Sequence, residues 1–223
     1  MSKEGVISRV DASTGSYGLP VAEPIALNEG LSPRPPLDTA LAIDIDGVVI
    51  DGSRPKPLMT AVKNAFPRND LFDRLMLQAV RGQKVHPETR DNLALINGQG
   101  FQIFGNTGRP DHPHWVEATR ETLERGEALH LFQDIYFRDR GHTAEQGKIS
   151  AVRRLLGRYP QVTVIDDSPT EAFAIARAFP NKIDALKILV IVKSRTGGLL
   201  FSRAKREEHP NVIRIGSLSG VLS

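Results

Sequence analysis

The sequence predicts an α/β protein, a Rossmann-like three-layer α/β/α sandwich with a mostly parallel sheet and a minimal cap insertion. Three observations carry this. Short apolar runs (ALAID, FQIFG, VTVI, LKILVIV) read as strands buried on both faces. Segments of helical period alternate with them, as in βαβ units. Carboxylates, a threonine and glycines gather just beyond the runs, at the carboxyl ends where open parallel sheets place their sites.

The elements follow in chain order. Residues 1–38 are rich in Gly, Ser, Pro and acids and end in LSPRPPLD, the pattern of a loosely docked arm. The folded domain then spans 39–223. Its first strand, ALAIDID, ends in carboxylates and Gly47. A polar, basic insertion at about 53–84 follows, with two short helices around Leu58–Phe66 and Leu71–Val80. At this size it has no independent core, so it reads as a cap or flap.

HPETRDNLALINGQG is a helix with Pro87 in its first turn and Gly98 or Gly100 past its end. FQIFG is the second strand and runs into NTGRP. Asp111 and Pro113 open a helix that closes near Gly126, and LHLFQDIYF reads as a third strand. Ile149, Val152, Leu155, Leu156 and Tyr159 predict a helix over Lys148–Tyr159. VTVI leads into DDSP, where Ser168, Pro169 and Glu171 form a helix start with the look of a capping box. LKILVIV and VIRIG are the last strands.

Bulk properties narrow the function classes. The 223 residues suit one domain, with 40% hydrophobic and 25% charged residues. The absence of cysteine excludes disulfides and thiolate chemistry and suits a reducing compartment. No apolar run approaches the roughly 20 residues that span a bilayer, and the N-terminus lacks the apolar stretch of a secretory signal. A cytoplasmic protein without a membrane partner is expected. The net charge of +3 favours anionic substrates slightly and does not by itself indicate a nucleic-acid binder.

Four clusters carry chemistry. Asp44 and Asp46 lie two apart at a strand end, so both carboxylates can lean toward one crevice. Their repulsion needs relief from a proton or a cation, and Mg²⁺ with its oxygen ligands supplies it. The alternative for the pair taken alone is a pair of turn acids after a strand. Gly47 lets the chain turn sharply. Thr107, in TGRP, offers a hydroxyl beside backbone N–H groups, a donor set suited to a phosphoryl oxygen. Gly108 belongs to the same turn; Arg109 can clamp a phosphate or cap a neighbouring carbonyl. Lys148 at a helix start is disfavoured by the helix dipole, which points to a role beyond solvation. Asp166 and Asp167 follow VTVI and by strand alternation point to opposite sides. Capping explains Glu171, which is left outside the metal set. His112 and His114 find no third ligand; Gly197-Gly198 lacks the context of a phosphate loop; SRAKREEH reads as a solvated face. Arg138 and Arg140 fit a polyanion or plain surface equally.

Taken together, Asp44-Ile45-Asp46-Gly47, Thr107-Gly108-Arg109, Lys148 and Asp166-Asp167 resemble, in order and spacing, the four motifs of the haloacid dehalogenase superfamily over roughly Leu41 to Leu222. The resemblance implies a Mg²⁺-dependent phosphatase. In it Asp44 is the covalent nucleophile and Asp46 the acid and base, while Thr107 and Lys148 complete the catalytic set. Gly47, Thr107, Gly108 and Arg109 would bind substrate, and Asp44, Asp46, Asp166 and Asp167 the metal. An aspartate at position 46 resembles the phosphatases rather than the dehalogenases. The layout TGRP…YFRDRGHT…GK…IDDSP is also loosely similar to the phosphatase domain of polynucleotide kinases. This makes a nucleotide or nucleic-acid 3′-phosphate the specific substrate expectation, alongside small phosphate esters. The competing readings are a receiver-like signalling domain, whose motif order differs, and a non-catalytic interaction domain, which has no need of Asp46.

Overall fold

The computed structural model describes residues 38–51, 77–191 and 209–221. The N-terminal arm up to residue 37, the body of the cap insertion, Gly197-Gly198 and most of SRAKREEH lie outside them. Six strands form one sheet: β1 (Thr39–Asp44), β2 (Gln102–Pro110), β3 (Asp134–Arg138), β4 (Gln161–Asp166), β5 (Leu186–Ile191) and β6 (Val212–Ile215). They run in the order β3-β2-β1-β4-β5-β6, and every neighbouring pair is parallel.

Both faces of the sheet are covered, which is why the strands read as continuous apolar runs. Leu41 and Ile43 of β1 pack on one side with Leu93 and Ile96 of α1 (Pro87–Gly98) and Leu123 of α2 (Pro113–Arg125). Ala40 and Ala42 point to the other side, against Val152 and Leu155 of α3 (Ala144–Leu156) and Phe173, Ile175 and Ala176 of α4 (Pro169–Ala178). This is the three-layer α/β/α sandwich. Because α1 and α4 cover opposite faces, the chain reverses direction across the sheet between β1 and β4, and a crevice opens at their carboxyl ends.

Several boundaries differ from the sequence expectation. The α3 helix begins at Ala144 rather than Lys148: the Thr143 hydroxyl accepts from Gln146 N, and the Gln146 side chain accepts from Thr143 N. This reciprocal cap fixes the start one turn earlier and leaves Lys148 in the second turn, which removes the dipole argument for it. Tyr159 lies beyond the helix and packs on Phe104, ring centroids 5.6 Å apart. LHLF is not strand: Leu129–Leu131 is a 3-10 turn, and β3 starts at Asp134. The turn follows Glu127, whose φ is 54°, and drops Ala128 and Leu131 into the core. NTGRP, expected as loop, continues β2 because Pro110 pairs with Arg138 after a register shift.

The insertion leaves and re-enters the domain at one point. Ile50 and Val85 form an antiparallel bridge, and Asp51 N donates to Lys84 O at 2.9 Å. Residues 77–81 are helical, and Thr122 of α2 donates to Val80 O at 3.2 Å. None of the described helices is long and apolar enough to cross a membrane.

Phe173 is among the largest fully buried side chains and ties α4 to the sheet. Phe173→Ala is expected to lower stability by about 3–5 kcal/mol in urea denaturation; a loss below about 1 kcal/mol would contradict this packing.

Candidate active site

The β1–β4 pairing aligns Ile43 with Ile165, so the next residues, Asp44 and Asp166, end their strands at one level. Both continue the face formed by Ala42 and Val164, beneath α3 and α4. A sheet that ends two strands on adjacent buried carboxylates has placed two like charges side by side, and α3 supplies the cation. Lys148, 2% exposed, sends its ammonium to Asp44 Oδ1 at 2.9 Å and Asp166 Oδ2 at 2.7 Å, and it also contacts Glu171 Oε2. Asp166 Oδ1 accepts from Ser168 N at 2.8 Å, which also fixes the start of α4.

Burial dominates the titration of this cluster. It pushes Asp44 well above the ordinary carboxylate range; Lys148 opposes the rise, and Asp166 and Asp46 add to it. Burial likewise raises Asp166 to about 6 against the counteracting Lys148. For Lys148, burial acts downward, but Asp44, Asp166 and Glu171 outweigh it and hold the ammonium above the usual lysine range.

Glu171 was explained from sequence by capping alone. In the structure its backbone N donates to Ser168 Oγ at 3.4 Å, but its carboxylate turns to Lys148 instead of back to the cap. Glu171 is therefore a site residue that the capping pattern concealed. It was the third acid of the DDSP turn and helix start, and that local charge density was the available signal.

Asp167 sits on the other side of the strand end, over Gly47. Gly47 has φ +90°, and a Cβ there would lie 2.2 Å from Asp167 Oδ2, so only glycine permits this approach. Despite pointing differently along the strand, Asp166 and Asp167 both bring an oxygen to Asp44: one ligand atom from each of the three lies within 4.8 Å of the others. Among the described residues no other group of three acids or histidines converges in this way. An all-oxygen set facing a crevice is the donor chemistry of a hard divalent cation. The surrounding charge agrees, because Asp44, Asp166 and Glu171 share the Lys148 ammonium, and Asp167 brings a further carboxylate to Asp44 and Asp166.

Asp46 stands outside that trio. Its side chain is 42% exposed, and Arg109, almost fully buried, grips it with two bonds, Nη2 to Oδ1 at 2.5 Å and Nε to Oδ2 at 2.9 Å. The sequence left Arg109 between a phosphate clamp and a carbonyl cap; here its guanidinium serves Asp46, with further bonds to Thr119 Oγ1 and Gln83 Oε1, each 2.8 Å. Thr107 Oγ1 donates to Asp46 Oδ2 at 3.3 Å and accepts from Arg109 N at 3.2 Å. Gly108 passes close to α3, its carbonyl accepting from Arg138 Nε at 2.9 Å. Arg138 also bonds His142 O, so it holds loops together, while Arg140 is exposed. The His112 and His114 rings lie on the surface with centroids 5.3 Å apart, tilted by 49°.

The arrangement predicts a severe dependence on Lys148. Without metal, at neutral pH, Lys148→Met leaves buried acids unpaired and is expected to cost about 3–5 kcal/mol in urea denaturation. The cost should shrink in mild acid, where Asp44 and Asp166, both shifted upward, take up protons. Wild-type stability at neutral pH would refute this account of the cluster.

No family model and no curated protein matches the sequence. The likeness found is to the fold of solved structures. A haloacid dehalogenase-like hydrolase from Streptococcus pneumoniae superposes with a TM-score of 0.59 at 13% identity, over 84% of this chain and 97% of that one. A predicted phosphoglycolate phosphatase from Haemophilus somnus gives 0.58 at 13% identity, over 86% and 98%. The L-2-haloacid dehalogenase from Xanthobacter autotrophicus, with chloropropionic acid covalently bound, gives 0.53 at 10% identity, over 83% and 95%. The fold of this chain is that of the haloacid dehalogenase-like hydrolases.

Proposed function

We propose that this chain is a Mg²⁺-dependent phosphomonoester hydrolase that works through an aspartyl-phosphate on Asp44. The observation that carries the reading is the convergence of Asp44, Asp166 and Asp167 within 4.8 Å at the strand ends, with Lys148 against Asp44 and the Arg109-held Asp46 two residues on. Mg²⁺ held by these acids would neutralise charge on the phosphoryl oxygens and keep the phosphorus within reach of Asp44.

The side chains divide the remaining work. An Asp44 oxygen attacks phosphorus while the ester P–O bond breaks, and Asp46 gives its proton to the departing oxygen. Asp46 then takes a proton from water, whose oxygen attacks the phosphorus; the acyl-phosphate bond breaks, phosphate leaves and Asp44 is restored. Lys148 offsets charge on Asp44 and on the transferring group. Arg109 and Thr107 orient Asp46, and Thr107 and the Gly108 backbone near the end of β2 would face the phosphoryl oxygens. The motif layout supports nucleotide or nucleic-acid 3′-phosphates as one substrate class to set beside small esters.

Turnover of an aryl phosphate with Mg²⁺ is expected, lost with EDTA and reduced about a thousandfold or more in Asp44→Asn. Asp46→Asn should cost about a hundred- to ten-thousandfold. Hydrolysis that survives both EDTA and Asp44→Asn would sink the proposal. A release screen over sugar phosphates, nucleotides and 3′-phosphorylated oligonucleotides then identifies the substrate class.

Metal binding is expected to be linked to pH. The Asp166 carboxyl is raised from 3.8 to about 6, so between these values the folded, metal-free protein binds more protons than the unfolded chain. Its contribution to stability is present in acid and is lost as the pH rises through about 6. Mg²⁺ competes with those protons, so the rise in Tm on adding Mg²⁺ should be larger at about pH 7.5 than at about pH 5. Equal shifts at both would count against this ligand set.

A further inference from the structure

Asn106 is 2% exposed, and neither its Nδ2 nor its Oδ1 has a hydrogen-bond partner. Among the described residues it is the only buried side chain whose polar atoms are left in this state. A buried amide with both ends unbonded is costly, and an apolar residue of the same size would fill the space without that cost. Its position shows what the amide faces. Asn106 pairs with Asp44 in the β1–β2 register, as Phe104 pairs with Ala42. Ala42 and Phe104 both pack on the α3–α4 side of the sheet. Two residues further on, Asp44 and Asn106 continue that side together, and Asp44 meets Lys148 there. The next residue, Thr107, turns to Asp46. Asn106 and Thr107 thus bracket the end of β1 from its β2 side.

We propose that the Asn106 amide is a phosphoryl-oxygen ligand, donating through Nδ2 to the group carried at Asp44. This deepens the phosphatase reading and rests on it. Lys148 and Ser168 N engage Asp44 and Asp166, and the amide bonds to neither acid. An anion entering beside Asp44 brings acceptor oxygens to a donor that is already buried and held by the sheet, the arrangement that stabilises developing negative charge with least reorganisation. Both ends of the amide are unpartnered, so the side chain can present Nδ2 without breaking a bond, leaving Oδ1 to accept from water.

The test compares wild type with Asn106→Leu in the full chain, reading kcat/KM for an aryl phosphate, inhibition by inorganic phosphate with Mg²⁺, and Tm without ligand. The expected result is a fall in kcat/KM of about a hundredfold, weaker inhibition by phosphate, and a Tm equal to or above wild type. A purely structural amide gives the opposite pattern, a lowered Tm with phosphate inhibition intact, and that overturns the assignment. So does wild-type kcat/KM in the variant. Should Asn106→Leu fail to fold, Asn106→Ser makes the kinetic comparison: a loss of about tenfold supports the role, and no loss overturns it. If the wild-type protein neither hydrolyses the aryl phosphate nor binds phosphate, the phosphatase reading itself fails and takes this inference with it.

Discussion

The ammonium of Lys148 lies almost wholly buried where three carboxylates meet, and the rest of the site is arranged around that contact. Parallel strands ending at one level bring Asp44 and Asp166 together whatever their charge, and burial sets that charge against the stability of the fold. The relief comes from a different layer. The α3 helix is started by the Thr143–Gln146 cap and lies close against β3, where a Cβ on Gly147 would come within 2.8 Å of Arg138 Cβ. That close docking sets how deep Lys148 reaches. Helix position, sheet register and site electrostatics are therefore one constraint.

Asp46 is only two residues from Asp44, yet it belongs to a second ionic unit with a different physical character. Asp44 is buried and wrapped by a flexible point charge; Asp46 is partly in solvent and gripped by a planar guanidinium. Two chemically identical side chains are thereby given different surroundings. In the proposed mechanism the first takes the phosphoryl group and the second moves the proton. Arg109 is itself fixed by Thr119 of α2 and by Gln83 at the returning end of the insertion. The orientation of Asp46 thus depends on how that end of the insertion packs.

The strands were legible because buried parallel strands leave an unmistakable apolar run, and α1, α2 and α4 because proline or glycine marks their ends. Boundaries failed where a local signal had a competitor. Thr143-x-x-Gln146 is a capping box in plain view, but the apolar periodicity from Ile149 onward placed the helix start too late. LHLF is apolar enough for a strand, yet a residue with positive φ just before it bends the chain into a 3-10 turn. Glu171 has the spacing of a cap, and only the nearby lysine shows that its carboxylate goes elsewhere.

By itself the sequence determined the α/β class and set acids and a threonine at strand ends and a lysine on the helix before β4, because these follow from short-range pattern and residue type. The tertiary structure decided which groups meet. It set Asp44, Asp166 and Asp167 around one space, turned Arg109 onto Asp46, recruited Glu171 to Lys148 and left the Asn106 amide unpartnered beside Asp44. Those outcomes depend on strand register and helix docking between segments many residues apart, and no local pattern encodes the distance between two side chains on different layers.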